Sequence, residues 1–466
     1  MSDPTEAALR AAVTAGLATA VAELAELVRI PSVAFPGFPP EEVRRSAEAV
    51  AALFEATGVF DQVTVKTAGV PETGEAGMPA VLASRAARPG RPTVLLYAHH
   101  DVQPVGDERL WETPAFELTE RDGRLYGRGS SDDKGGVVAH LAAVRALRDV
   151  LGDDLGLGLA VFIEGEEEAG SRSFAHFLQE NRDALAADVI VVTDSANWDA
   201  RTPGLTVSLR GNTRFTLTVR TLAHASHSGM YGGAVPDAML ATIKLLATLW
   251  SDDGTVAVDG LLSHDAATPP YTEADLRRDT GLLPGVSPVG SGPLLGRLWH
   301  QPAITVTGID APSVANASNT ITPEVSVVIS ARVAPGQSGE EAFRALQDHL
   351  RRHAPFGAQL AFSDIDHGDG FLADTSGWAV RLGKRALADG YGVEPVELGV
   401  GGSIPFIADL ARVFPGAGIL VTAVGDPLSR PHTPNESQDL GALRGAILAE
   451  ALLLARLNTG LEAAAR

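Results

Sequence analysis

The stretch Gly127-Arg128-Gly129-Ser130-Ser131-Asp132-Asp133-Lys134-Gly135-Gly136 sets two adjacent carboxylates in a glycine frame, directly ahead of an apolar run at helical spacing over 137–150. Glycines let a backbone turn tightly and come close to a ligand, and neighbouring aspartates there can grip a cation. A Ser-Asp pair before an apolar periodic run is also how a helix is capped, so this stretch alone leaves both readings open. Similar side chains recur wherever a buried-type apolar run ends. Residues 93–97 run into Ala98-His99-His100-Asp101, and 157–163 into Glu164-Gly165-Glu166-Glu167-Glu168. Residues 189–193 end at Asp194, and 419–424 lead on to His432-Thr433-Pro434-Asn435-Glu436.

Each segment has an ordinary reading by itself. His99 and Asp101 point to one side of extended chain, as a core histidine and its partner do, or as a metal-bound imidazole and its orienting carboxylate do. A glutamate triplet is commonly a solvated face, Asp194 could cap a helix, and His432 could be a surface histidine. Open parallel sheets, however, collect their chemistry beyond the carboxyl ends of their strands. Four strand ends and the 127–136 stretch all deliver His, Asp or Glu, and that convergence points to a metal centre. The chain has no cysteine, so thiolate sites and disulfides are excluded.

The elements that must position these groups follow from periodicity. Apolar residues recur at helical spacing over 7–29 and 41–57. The four apolar runs read as strands buried on both faces, and the helical patterns between the first three predict an α/β domain with a mainly parallel sheet. From 205 the pattern changes: 205–209, 214–220 and 324–333 alternate polar and apolar residues, with helices expected over 237–250 and 340–353. A Gly-, Pro- and Asp-rich loop is expected over 251–290. Together these predict a smaller α+β unit inserted in the first, giving parts 1–207, 208–376 and 377–466.

At 466 residues the chain has room for two such cores. Its 45% hydrophobic and 20% charged residues are those of a soluble globular protein. A net charge of -21 argues against a nucleic-acid surface. The first 22 residues lack the basic start and apolar run of a secretory signal. No uninterrupted apolar segment approaches the roughly 20 residues of a membrane span. A cytoplasmic location, with neither membrane nor nucleic-acid partner, is the expectation.

Taken together, Tyr97-Ala98-His99-His100-Asp101-Val102-Gln103-Pro104, residues 127–136, residues 164–171, Asp194 and His432-Thr433-Pro434-Asn435-Glu436 resemble the five blocks of the M20 metallopeptidases. The blocks stand in family order and span most of the chain. The Asp-Val-Gln-Pro and Glu-Glu-Ala-Gly-Ser wording is most similar to the carnosinase-like dipeptidase branch. The resemblance implies a zinc-peptidase-like catalytic domain with an inserted ferredoxin-like lid and dimerisation domain. It implies two divalent ions, zinc first and manganese or cobalt as alternatives. Asp132 would bridge them, with His99 and Asp194 completing one site and Glu168 and His432 the other. Glu167 would be the general base acting on a water shared by the ions, and Asp101 would orient His99. A cis peptide bond is implied at Asp132-Asp133.

In the insert, His227-Ser228-Gly229 resembles the family's lid histidine block, which implies a homodimer in which His227 serves the partner's site. Asn319, Arg332, Gly402 and Ser403 match blocks that touch substrate, Arg332 suiting a substrate carboxylate. Departures from the family pattern include Ala98 and Ala225 where Gly and Asp are common; His100 and His224 are taken as non-ligands. The implied activity is hydrolysis of dipeptides or short peptides with a free C-terminal carboxylate. One alternative is an amidohydrolase of the same fold acting on N-acyl or N-succinyl amino acids. Another is a non-catalytic binding protein on a peptidase scaffold, against which Glu167 and the complete ligand set argue. No Gly-x-Ser-x-Gly elbow of a serine hydrolase is present. The acidic segment 364–370 misses calcium-loop spacing and is expected to be a turn.

Overall fold

A computed structural model describes residues 3–71, 73–402 and 405–461. In chain order its main strands are β1 (Gln62–Lys66), β2 (Ala80–Arg85), β3 (Thr93–His99), β4 (Gly158–Glu164), β5 (Val189–Val192) and β6 (Gly204–Leu209). They continue with β7 (Gly211–Arg220), β8 (Ala303–Asp310), β9 (Glu324–Val333), β10 (Gln359–Gly368) and β11 (Gly418–Val421). The chain forms two compact units, one of 1–207, 373–398 and 409–466 and the other of 208–372 and 399–408. The insert expected over 208–376 thus ends at Leu372, and the second unit also takes 399–408, which the sequence reading assigned to the catalytic part.

In the first unit the strands run in the order β1-β2-β4-β3-β5-β11-β6. Strands β4, β3, β5 and β11 pair in parallel. The flanking β1-β2, β2-β4 and β11-β6 pairs are antiparallel, so the sheet is mixed, with a parallel centre. The four central strands are the four continuous apolar runs of the sequence, which burial on both faces requires. On one face Val94, Leu96 and Ala98 of β3 join a core built with the helices Asp3–Val28, Lys134–Leu151, Trp378–Tyr391 and Leu440–Leu457. On the other, Tyr97 meets Phe162 and Phe174 edge-on, and Phe162 stacks on Phe177. Each such side chain stabilises the fold by about 1.5–3 kcal/mol when fully buried.

One expectation is corrected here. The alternation over 205–209 is the pattern of a half-exposed strand, but β6 is buried along its whole length as part of the large sheet, with Thr206 and Ser208 shielded alongside the apolar residues. The helix spanning Pro4–Val28 is long and apolar enough, by length and composition, to cross a membrane. Glu6, Arg10, Glu23 and Glu26 interrupt its apolar run, so no unbroken apolar segment of that length is present. Leu9, Leu24 and Leu27 of this helix are fully buried in the core of the first unit.

The second unit has chain order β7, helix Ala238–Leu246, β8, β9, helix Gly339–Arg352, β10, and sheet order β8-β9-β7-β10, all antiparallel. This is the βαββαβ ferredoxin-like arrangement. Burial alternates residue by residue along β9, and its inward Val325, Val327 and Ile329 pack with Phe215, Leu217, Ala241 and Leu346. Asp237 caps the first helix by accepting from Met239 N and Leu240 N, and Ser338 and Glu341 form a capping box on the second. The loop expected over 251–290 contains a helix, Glu273–Thr280, with its own Thr272/Asp275 capping box. Residues 364–368, expected as a turn, continue β10 past an irregularity in register between Ser363 and Asp366.

Candidate metal centre

Parallel register brings the strand ends to one edge of the first unit. His99 lies opposite Glu164 at the end of β3 and β4, while Asp194 follows β5 by two residues. Two carboxylate-imidazole groups form there: His99, Asp132 and Asp194, and Asp132, Glu168 and His432, with the ligand atoms of each group within 4.8 Å of one another. Asp132 belongs to both. Its Oδ1 lies 3.2 Å from His99 Nε2 and its Oδ2 2.9 Å from His432 Nε2. One carboxylate therefore turns one oxygen toward each group. Glu168 Oε2 stands 3.2 Å from His432 Nε2 and accepts from Gln103 Nε2 at 2.8 Å.

Asp101 has more to hold than an imidazole. It is fully buried, with Oδ1 3.3 Å from His99 Nδ1. Oδ1 also accepts from Glu167 N and Oδ2 from Glu168 N, both at 3.1 Å. The same carboxylate thus fixes the His99 ring and the backbone that carries Glu167 and Glu168. Glu167 stays unbonded to the ligand groups except for a 4.0 Å approach of its Oε2 to His99 Nε2. His100 is buried, and its Nε2 faces Pro79 O at 2.9 Å; burial lowers its pKa to about 4, keeping it neutral.

Electrostatics tests whether cations fit. Burial, then the carboxylates nearby, push Asp194 up to about 7, and burial followed by Asp194 raises Glu167 well above the ordinary range. Asp132 and then Glu168 raise His432 to about 10. Burial works to lower His99, but Asp101 and Asp132 outweigh it and hold the value well above normal. The protons on the two imidazoles stand in for positive charge that the clustered carboxylates demand. Two imidazoles and several oxygens, with no thiolate, form a donor set suited to zinc or another borderline divalent ion.

The 127–136 stretch and the 432–436 loop are tied together by Glu436, to which the sequence reading gave no role. Glu436 is fully buried; Oε1 accepts from Ser131 N at 3.0 Å and Asp132 N at 3.1 Å, while Oε2 accepts from Gly129 N at 3.1 Å. Arg128 NH1 donates to Oε2 at 2.6 Å. The peptide bond between Asp132 and Asp133 is cis, and Arg430, His432 and Asn435 have φ of 53°, 61° and 62°. Left-handed backbone in three non-glycine residues marks a loop held to one shape by its surroundings. Behind the centre, His140 Nε2 faces Tyr97 O at 2.9 Å and Nδ1 faces the Glu450 carboxylate at 2.8 Å. Thr193 Oγ1 also stands 3.0 Å from Nε2. The Tyr97 carbonyl can only accept, so Nε2 carries hydrogen toward it.

The remaining expected residues lie in the second unit. His227 and Thr320 pair across a two-residue ladder, and Ser228 N donates to Asn319 O at 3.0 Å, which brings the His227 and Asn319 blocks together. His227 is exposed and its Nδ1 accepts from Gly229 N at 3.1 Å, leaving Nε2 as the protonated nitrogen. Arg332 is half-buried on β9, opposite Asn212. Gly402 is half-buried, whereas Ser403 lies outside the described residues.

This fold and this donor set define the class, and the sequence agrees: residues 95–456 match the model of peptidase family M20/M25/M40, and the chain belongs to that family. The chain is 35% identical over 368 residues to a cysteinylglycine-S-conjugate dipeptidase of Corynebacterium striatum, covering 78% of this chain and 80% of that one. It is 29% identical over 378 residues to the Beta-Ala-His dipeptidase of Mus musculus, covering 77% and 75%. The crystal structure of human carnosine dipeptidase 1 superposes with a TM-score of 0.74 at 24% identity, over 98% of this chain and 99% of that one.

Proposed function

We propose that the protein is a dinuclear metal-dependent dipeptidase, hydrolysing dipeptides or short peptides that bear a free C-terminal carboxylate. The observation that carries this reading is the sharing of Asp132 between two ligand groups, one oxygen turned to each. His99 and Asp194 would hold one ion, and Glu168 and His432 the other. Bound there, zinc (or manganese or cobalt) supplies Lewis acidity and brings a water's pKa toward neutrality. Glu167 takes the water's proton and returns it to the leaving amine. Asp101 fixes the register of this base with the neighbouring ligand through Glu167 N and Glu168 N.

In this reading the second unit supplies recognition. Arg332 binds the substrate's carboxylate, with Asn319 and the backbone and hydroxyl of Gly402 and Ser403 alongside. His227 presents its Nε2–H to the developing oxyanion from the partner copy of a homodimer. Exposed Met230, Tyr231, Leu240 and Ile243, at 71%, 50%, 47% and 58% exposure, give the second unit an apolar surface suited to self-association. The enzyme is proposed to work in the cytoplasm, on small peptides, without nucleic acid or membrane. The test is a panel of dipeptides beside N-acetyl and N-succinyl amino acids, assayed after reconstitution with zinc, manganese or cobalt. Turnover of dipeptides with free carboxylates is expected; robust deacylation without dipeptide cleavage would replace this reading with the amidohydrolase one.

A further inference from the structure

The second unit contains a cavity of about 560 Å3 that no step of the proposed hydrolysis uses. The segment between helix Ala238–Leu246 and strand β8 wraps around it, and none of its lining residues is a metal ligand. It opens to solvent beside Val286, Val289 and Leu298, which are exposed, and deepens toward the buried Val258 and Arg210. A hollow of this size falls in the range of small-molecule sites, which are apolar with a few convergent polar groups. The wall fits that description, with Trp250, Val258, Leu261, Leu282, Val289 and Ile304 facing it.

Its charge is one-sided. Arg210 and Arg297 both line the cavity, and no Asp or Glu is among its described lining residues, in a protein whose net charge is -21. Both arginines donate to main-chain carbonyls. Arg210 reaches Gly401 O at 3.0 Å and Gln301 O at 3.2 Å, and Arg297 reaches Gly290 O at 3.1 Å and also Val289 O. Among the described residues neither makes a salt bridge, and Arg297 Nε is buried without a hydrogen-bond partner. Arg210 is only 7% exposed. Burial and the nearby Arg332 lower its pKa to about 10, a value at which it stays charged. A buried guanidinium without a counter-charge is costly, and an anion entering the cavity would relieve that cost.

We propose that this cavity is a binding site for a small apolar monocarboxylate, its chain against the aliphatic wall and its carboxylate at Arg210 and Arg297. A neutral or cationic molecule of equal length would fill the wall but leave the guanidiniums uncompensated. Arg210 also holds Gly401 O, beside Gly402, so the ligand and that turn share one side chain.

The test is calorimetric titration of the full-length, metal-reconstituted protein with decanoate, decanol and decylammonium. Saturable one-to-one binding of decanoate is expected. A charge-assisted hydrogen bond separates it from decanol by roughly 10- to 100-fold in affinity. Ala303→Trp, which fills the cavity, and Arg297→Gln, which removes the charge, should each weaken decanoate binding at least tenfold while leaving the melting transition cooperative. If either variant misfolds, the other decides. The proposal is overturned by absence of saturable decanoate binding, by decanol or decylammonium binding as tightly, or by a folded variant that binds decanoate unchanged. Because the readout is binding, its failure would leave the dipeptidase reading standing.

Discussion

Glu436→Ala tests whether the candidate metal centre is built through this one buried carboxylate. The change removes the acceptor for Gly129 N, Ser131 N and Asp132 N and the counter-charge of Arg128. Arg128 is itself 1% exposed and cannot turn to water without moving the stretch it belongs to. Breaking a buried ion pair by deleting one partner costs about 3–5 kcal/mol. Each stranded hydrogen bond to a charged group is worth about 1.5–3 kcal/mol taken singly, but the three donors share one carboxylate and do not add. A stability loss of about 3–5 kcal/mol is therefore expected in urea unfolding of the chelator-treated protein. Losing the hold on Asp132 N should also weaken metal binding, by about 10- to 100-fold, as loss of a group that orients a ligand does. Competition with a chromophoric chelator reads that second effect independently of turnover. Glu436→Gln keeps one acceptor oxygen and should fall between wild type and alanine in both measurements. A destabilisation under about 1 kcal/mol together with unchanged metal affinity would refute the reasoning, since the pair would then be worth no more than an exposed one.

Two further predictions address catalysis and pH. Glu167→Ala and His227→Ala should each be nearly inactive, general-base removal costing about 10^2- to 10^4-fold. If His227 serves the partner's site, mixing the two variants should restore activity in mixed dimers; a mixture as inactive as its parts would confine His227 to its own chain. Burial works to lower the His140 value, but Glu450 more than offsets this and raises it. The resulting stabilisation is complete below the unfolded value of about 6.5 and is lost as pH rises through the higher folded value. The stability difference between wild type and Glu450→Gln, followed by urea unfolding from about pH 6 upward, should narrow as pH rises; a constant or widening difference would contradict the raised His140 value.

The central sheet was legible because β3, β4, β5 and β11 are apolar runs with β-branched residues, three of which run directly into His99, Glu164 and Asp194 while the fourth leads through a short loop to His432. Where they end is also where they act, so fold and candidate site could be read from one pattern. Glu436 was not legible in the same way: accepting backbone N–H groups leaves no trace in residue type or spacing, and its partners lie 304 to 308 positions away. Residues 205–209 misled because Thr206 and Ser208 mimic a solvated face while lying inside the sheet. Helix Glu273–Thr280 has a readable capping box but scarcely an apolar face, so nothing in its periodicity announced it. The cavity beside it was hidden for the same reason, being bounded by loops and short elements whose packing no periodic pattern specifies.

The separation between Asp132 and Glu436 also sets a schedule. A ribosome adds roughly 5–20 residues per second, so the 304 positions between the donor at Asp132 and its acceptor take about 15–60 seconds to make. During that interval the aspartates, His99, the 164–168 glutamates and Asp194 have all been synthesised, while His432 and the clamp have not. The whole second unit emerges within the same interval and can close its ferredoxin-like sheet from contacts within 208–372. The last stretch of chain therefore does more than add a helix to the first unit. It delivers the final imidazole and the carboxylate that fixes the shared aspartate, so a nascent chain can assemble most of its donors long before it can hold them in place.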